Sequence, residues 1–136
     1  MIGAGVALHR CLLAADRLAP RGIRERVIDL YSIKPVDVGT LVAAAEATEG
    51  RVVVAEAQAS RGGLGSAVAA AVLGAGVRQL HLAHLSVSEL PGSVRTEELL
   101  SAAVIDAPHI AAAAGALVDG RRGSEPTERR SDEHGA

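Results

Sequence analysis

Residues 51–73 read RVVVAEAQASRGGLGSAVAAAVL, and the fold follows from how that stretch divides. Val52, Val53 and Val54 form a short β-branched run without polar alternation, the pattern of a strand covered on both faces. A polar loop from Glu56 to Arg61 comes next, and Gly62-Gly63-Leu64-Gly65 then opens an alanine-rich helix. Leu64, Val68, Ala71 and Val72 share one side of that helix at three- and four-residue spacing. Strand, loop and helix in this order make one unit of a parallel α/β sheet, and such sheets gather ligands and partners at the carboxyl ends of their strands. Glu56, Gln58 and Arg61 are expected at that edge.

The alternation continues on both sides of this unit. Upstream, Met1 to Val6 reads as a strand end and a turn. Leu8, Cys11, Leu12, Ala15, Leu18 and Ala19 then mark an amphipathic helix, with His9, Arg10, Asp16 and Arg17 outside. Pro20-Arg21-Gly22 stops that helix. Val27 to Leu30 is the next strand, and Asp37 is placed to cap a helix carrying Val38, Leu41, Val42 and Ala45. Downstream, a fourth strand is expected from Gln79 to Leu82, with an extension to Leu85 left open. Residues 88–93 read as a loop, and Thr96-Glu97-Glu98 as the start of a short helix with Leu99 and Leu100. Asp106 caps a last helix whose Ile110, Ala113, Ala114 and Leu117 face inward. The expected architecture is α/β: a three-layer α/β/α domain over residues 1–118, with a mostly parallel sheet of about four strands. Residues 119–136 are charged and almost free of apolar side chains, and are expected to form a disordered tail.

Composition sets outer bounds. A chain of 136 residues supplies one layered core, and a net charge of −2 gives no general attraction to nucleic acid or acidic membranes. Tyr31 stands alone among the aromatic residues, so the core is built from Val, Leu, Ile and Ala, and platforms for stacking bases are missing. Cys11 is the only cysteine, which excludes an internal disulfide and fits a reducing cytoplasm. No stretch of the sequence approaches a membrane span. Cytoplasmic localisation is the expectation.

Several motifs invite a chemical reading, each beside a plainer one. Gly3-Ala4-Gly5 and Gly63-Leu64-Gly65 both supply the first two glycines of a dinucleotide fingerprint, but Leu8 and Val68 occupy the third glycine's place. Tight turns explain them as well, although Asp29 at a strand end could meet a ribose. Glu56 lies where acids and bases often sit, but no proton-transfer partner is adjacent in sequence; a hydrogen bond to a loop or partner is the alternative. His81 and His84 are three apart, which on a strand places them on opposite faces and spoils a metal pair. His9 and His109 read as solvated, Cys11 as a small buried hydrophobe, and the arginines from Arg121 to Arg130 as part of a solvated tail.

Taken in order, IGAGV at Ile2–Val6, VIDLYSIKPVD at Val27–Asp37, RVVVAE at Arg51–Glu56, GGLGSAV at Gly62–Val68 and the segment His81–Pro91 resemble the C-terminal domain of transketolase. Related domains close the β subunits of 2-oxoacid dehydrogenases and deoxyxylulose-phosphate synthase. The resemblance runs from Ile2 to about Val118. It implies a domain that packs beside cofactor domains and helps form a homodimer in the complete enzyme of the pentose phosphate pathway. It also implies that the thiamine diphosphate and Mg²⁺ sites, and the glutamate that activates the cofactor, belong to other domains, whether in the same gene product or a separate subunit. Glu56, Gly62, Gly63 and Gly65 carry over from the family pattern as residues of loop shape and interdomain contact. Gln58 stands where the family often has histidine, and Pro91-Gly92-Ser93-Val94 departs from its arginine-serine-glycine turn. The strand that ends at Ile2 is expected to be truncated at Met1, leaving an apolar slot between the strands of Val27–Leu30 and Val52–Val54.

Three functional readings follow. The first is a transketolase C-terminal domain, structural and dimer-supporting, with no cofactor of its own and no catalysis alone. Its partners are the thiamine-binding domains, with no nucleic acid and no membrane. The second is a regulatory module that binds a nucleotide or small molecule on the same fold. The third is a small independent enzyme centred on Glu56.

Overall fold

The computed structural model describes residues 1–59, 63–87 and 105–120. In chain order these form β1 (Ile2–Gly3), α1 (Val6–Leu18), a 3₁₀ turn (Ala19–Arg21), β2 (Ile28–Asp29), α2 (Val38–Ala47), β3 (Arg51–Ala59), α3 (Leu64–Gly74), β4 (His81–Val87) and α4 (Ala107–Gly120). The strands are all parallel and lie in the order β2-β1-β3-β4. Short β1 therefore sits centrally, between β2 and β3, as the expected topology requires. Its ladder is brief: Ile2 pairs with Ile28 and Val54, and Gly3 with Asp29. Cavities of about 140 and 20 Å³, lined by Met1, Arg26, Thr48 and Arg51 among others, flank its amino end.

β3 divides the core. Successive side chains of a strand point to opposite faces, and here Val53 and Ala55 join the buried residues of α1 and α4, whereas Val52 and Val54 join those of α2 and α3. The unbroken valine run thus marks a strand buried on both sides, with two of the described helices over each face. Gly3 lets α1 press onto the sheet. A side-chain carbon there would lie 2.9 Å from the Leu8 nitrogen, inside contact distance.

Four expectations change in detail. β3 does not give way to a loop at Glu56; it continues to Ala59 because β4 keeps pace with it, from Arg51 opposite His81 to Glu56 opposite Ser86. For the same reason β4 runs to Val87, beyond both Leu82 and Leu85. On α1 the buried set is Ala7, Cys11, Ala14 and Leu18, while Leu12 and Ala19 are exposed. That side carries the small residues, which allow close packing against Ala107, Ala111 and Ala114 of α4. On α2, Leu41, Ala44 and Ala45 are buried and Val38 faces outward.

α4 follows the expected phase, with Ile110 and Ala114 buried and Ala113 and Leu117 packed beside them. It extends through Asp119, which Arg21 meets at 3.3 Å, to Gly120. The loop at 88–93, the helix start at Thr96 and the chain beyond Gly120 lie outside the described residues.

Asp37 caps α2 as its position predicts. Its two carboxylate oxygens accept from the Thr40 amide at 3.1 Å and the Thr40 hydroxyl at 2.7 Å. The hydroxyl bond first, and the amide bond second, hold the carboxyl below its ordinary range. A depressed carboxyl stabilises the fold above the unfolded aspartate value of about 4, and that contribution is lost as pH falls through the lower folded value. Asp37→Ala should therefore lower the thermal midpoint at neutral pH, with the gap to the parent chain narrowing below about pH 4. A gap that stays constant from pH 7 to pH 3 would show that the charge of Asp37 contributes nothing to the cap.

Candidate functional site

Glu56 lies near the carboxyl end of β3 and is the one polar or charged residue of the described core, with 5 % of its surface exposed. An isolated buried carboxylate is costly unless donors surround it. One donor comes from the next element: the Gly65 amide, in the first turn of α3, donates to Glu56 Oε2 at 3.0 Å. The first amides of a helix lack partners within the helix and carry its positive dipole end, so an anion is favoured there. A strand residue nine positions earlier thus does the work of a capping side chain.

The second neighbour is His84 of β4, whose Nε2 lies 3.2 Å from Glu56 Oε1. Both atoms are buried, and their approach is close without being aligned as a directional hydrogen bond. The alternation of β4 explains the meeting. Ala83 and Leu85 pack on the α1–α4 side and Leu82 on the α2–α3 side, which places His84 with Leu82 on the face where Glu56 and α3 meet. His81 lies on the opposite face, exposed beside Gln79. The expected separation of the two histidines therefore holds. Among the described residues no group of three or more His, Cys, Asp or Glu side chains is arranged to hold a metal.

The glycines of the turn answer to this pair. Gly63 has an ordinary extended backbone, with φ −92°, so conformational freedom does not explain it. A side-chain carbon on Gly63 would stand 2.5 Å from Glu56 Oε1, and one on Gly65 would stand 2.4 Å from the His84 ring. The turn is glycine-rich because a carboxylate and an imidazole occupy the space where side chains would go. The Gly3-Ala4-Gly5 stretch differs: Gly5 precedes α1 at φ 58°, a left-handed turn conformation.

Of the expected edge residues, Glu56, Gly63 and Gly65 come together. Gln58 lies in β3 rather than in a loop. Arg61 and Gly62 lie outside the described residues. His84 is the residue that sequence reasoning passed over as a partner for Glu56. The signal for it was an imidazole alternating with Leu82 along β4, but using that signal requires the β3–β4 register, which is set by pairing across some thirty residues.

Other titratable groups have local explanations. Burial pushes the Cys11 thiol up, away from the thiolate a nucleophile needs. His109 is exposed, as expected, but not isolated: its Nδ1 contacts the Asp106 carboxylate, which also accepts from the His109 amide at 3.0 Å to cap α4. A groove of about 420 Å³ lies at the carboxyl end of β2, lined by Asp29, Tyr31, Ser32, Asp37 and Thr40 among others; neither Glu56 nor His84 lines it. Tyr31 is 88 % exposed at its rim.

Comparison with known proteins agrees with the resemblance read from the motifs. The family model described as "Transketolase, C-terminal domain" matches residues 1–110. The chain is 46 % identical over 110 residues to transketolase-like protein 1 of Macaca fascicularis, covering 81 % of this chain and 18 % of that protein. It is 46 % identical over 113 residues to transketolase-like protein 2 of Homo sapiens, covering 83 % and 18 %. With human transketolase the identity is 40 % over 118 residues, covering 87 % and 19 %. A solved structure described as a split gene transketolase, inactive beta4 tetramer, superposes with a TM-score of 0.77 at 34 % identity, covering 87 % of this chain and 38 % of that one. The chain thus spans less than a fifth of the length of these curated relatives.

The pair and the glycines make a coupled test. Gly63→Ala should cost about 1–3 kcal/mol in urea unfolding, because it displaces a buried carboxylate from its donors. In a Glu56→Ala background the same substitution should cost no more than about 0.5 kcal/mol. Equal costs in both backgrounds would mean that the glycine serves something other than room for Glu56.

Proposed function

This chain belongs to the transketolase C-terminal domain family, and we propose that it serves as the structural, assembly-supporting domain of a transketolase whose cofactor-binding domains lie elsewhere. The complete enzyme in this proposal transfers a two-carbon ketol unit between sugar phosphates, using thiamine diphosphate and Mg²⁺, in the cytoplasm and within the pentose phosphate pathway. The chain's partners are the thiamine-binding domains, whether on the same polypeptide or on a separate subunit, and the complete enzyme is a homodimer. The name of the split-gene relative supports a separate-subunit arrangement for that protein, and we extend the possibility of such an arrangement to this one.

The observation that carries the reading is where the buried acid spends its bonds. Glu56 is turned onto the Gly65 amide and toward His84, within its own domain, at the strand edge where α/β domains meet partners. A catalytic acid or base must reach a reacting atom, and this one shapes a turn instead. Under this proposal thiamine diphosphate and Mg²⁺ are held by the other domains, and no step of the reaction is assigned to this chain. Gly62, Gly63 and Gly65, with Glu56, Gln58 and Arg61, form the proposed edge for contact with the other domains.

Reconstitution tests the proposal. A transketolase polypeptide from which the C-terminal domain has been removed, mixed with this chain, should form a stoichiometric complex and regain ketol transfer that neither part shows alone. Two results would overturn it: catalysis by this chain by itself, or thiamine diphosphate binding to it tighter than about 1 mM, some 4 kcal/mol. Failure of the two parts to associate would equally remove the assembly role.

A further inference from the structure

His84 meets α3 end-on. The atoms nearest a side-chain carbon on Gly65 would be Cε1, Nε2 and Cδ2 of the ring. Nε2 is buried beside Glu56 Oε1, yet 25 % of the His84 side chain is exposed. Its open surface therefore lies away from α3, on the part of the ring that carries Nδ1. Among the described residues no hydrogen bond reaches Nδ1. β4 holds the ring opposite Val54, two residues short of Glu56, so it stands close to the carboxyl edge of the sheet. One of its nitrogens is turned inward and the other outward.

A neutral imidazole nitrogen donates or accepts according to where the ring's proton sits. Bare lone pairs on Nε2 and Oε1 would repel each other at 3.2 Å, in a place that solvent does not reach. A proton on one of the two atoms turns that repulsion into attraction, even where the contact is off-line. The Gly65 amide and the positive end of α3 favour a carboxylate over a carboxylic acid at Glu56, which leaves the proton to the ring. We infer that Glu56 fixes His84 as the Nε2–H tautomer and so makes Nδ1 a bare acceptor, which takes a hydrogen-bond donor from the thiamine-binding polypeptide at this edge. A carboxylate behind an imidazole enriches the far nitrogen, as it does behind metal-bound histidines. An N–H or O–H group is welcome there, and an acceptor is refused. The contact with the partner rests on the assembly role proposed above; the tautomer does not.

Glu56→Gln inverts the arrangement while keeping its shape. The Gly65 amide still claims the side-chain oxygen, so the new NH₂ group faces Nε2 and the ring moves its proton to Nδ1. Long-range ¹H–¹⁵N correlation on the whole chain, at about pH 8, reads the tautomer. His84 is assigned among the five histidines by its absence from His84→Gln. The parent should show Nε2–H and Glu56→Gln should show Nδ1–H. When a transketolase polypeptide lacking its own C-terminal domain is added, the parent's Nδ1 resonance should move upfield as it accepts a hydrogen bond. Glu56→Gln should bind that polypeptide about tenfold more weakly. A parent ring in the Nδ1–H form, or an imidazolium, would overturn the inference. So would a complex in which the Nδ1 resonance stays where it was, a result that needs only the parent chain and holds even where Glu56→Gln does not fold. Equal affinity of parent and variant would remove the contact and leave the assembly role standing, whereas no complex at all would remove both.

Discussion

A carboxylate in an apolar interior sets the terms for the middle of this domain. A buried carboxyl such as that of Glu56 is costly unless a donor waits for it, and the first turn of α3 supplies one through the Gly65 amide. That single bond ties the end of β3 to the start of α3 across the turn between them. His84 brings in β4 from the other side. Strand, helix and neighbouring strand are thereby held at one point, and the glycines are the space that this convergence leaves.

The constraint also accounts for the relation between motif and fold. The same glycines that look like a phosphate cradle are occupied by the protein's own acid and imidazole. A glycine-rich turn at a helix start favours any anion. Here the anion is internal. The family's chemistry therefore lies in other domains under the proposal above, while this domain offers a well-shaped edge for them to meet.

Much of the fold was legible because it rests on local chemistry. Val52 to Val54 announce a strand covered on both faces, and Asp37 caps the helix it precedes through Thr40, three residues on. The central place of β1 came with the family resemblance. What escaped depends on distance along the chain. The partnership of Glu56 with His84 needs the parallel register of β3 and β4, and no local pattern encodes it. The phase of α1 failed for a different reason. Leu8, Leu12 and Ala15 satisfy helical periodicity as well as Ala7 and Ala14 do, with Cys11 and Leu18 common to both. Close approach to an alanine-lined α4 favours the side with smaller residues. Periodicity finds an apolar face but does not weigh its thickness.

The lone aromatic ring has an optical consequence. With no Trp and no Phe in the sequence, ultraviolet emission from the protein comes from Tyr31, which stands in solvent at the rim of the β2 groove rather than in the core. Its brightness is nearly blind to melting of the aliphatic interior, because the ring is already wet in the folded state. Whatever settles over the carboxyl end of β2 will change its surroundings at once. The molecule carries a single-site fluorescent reporter for the carboxyl end of β2, and none for its unfolding.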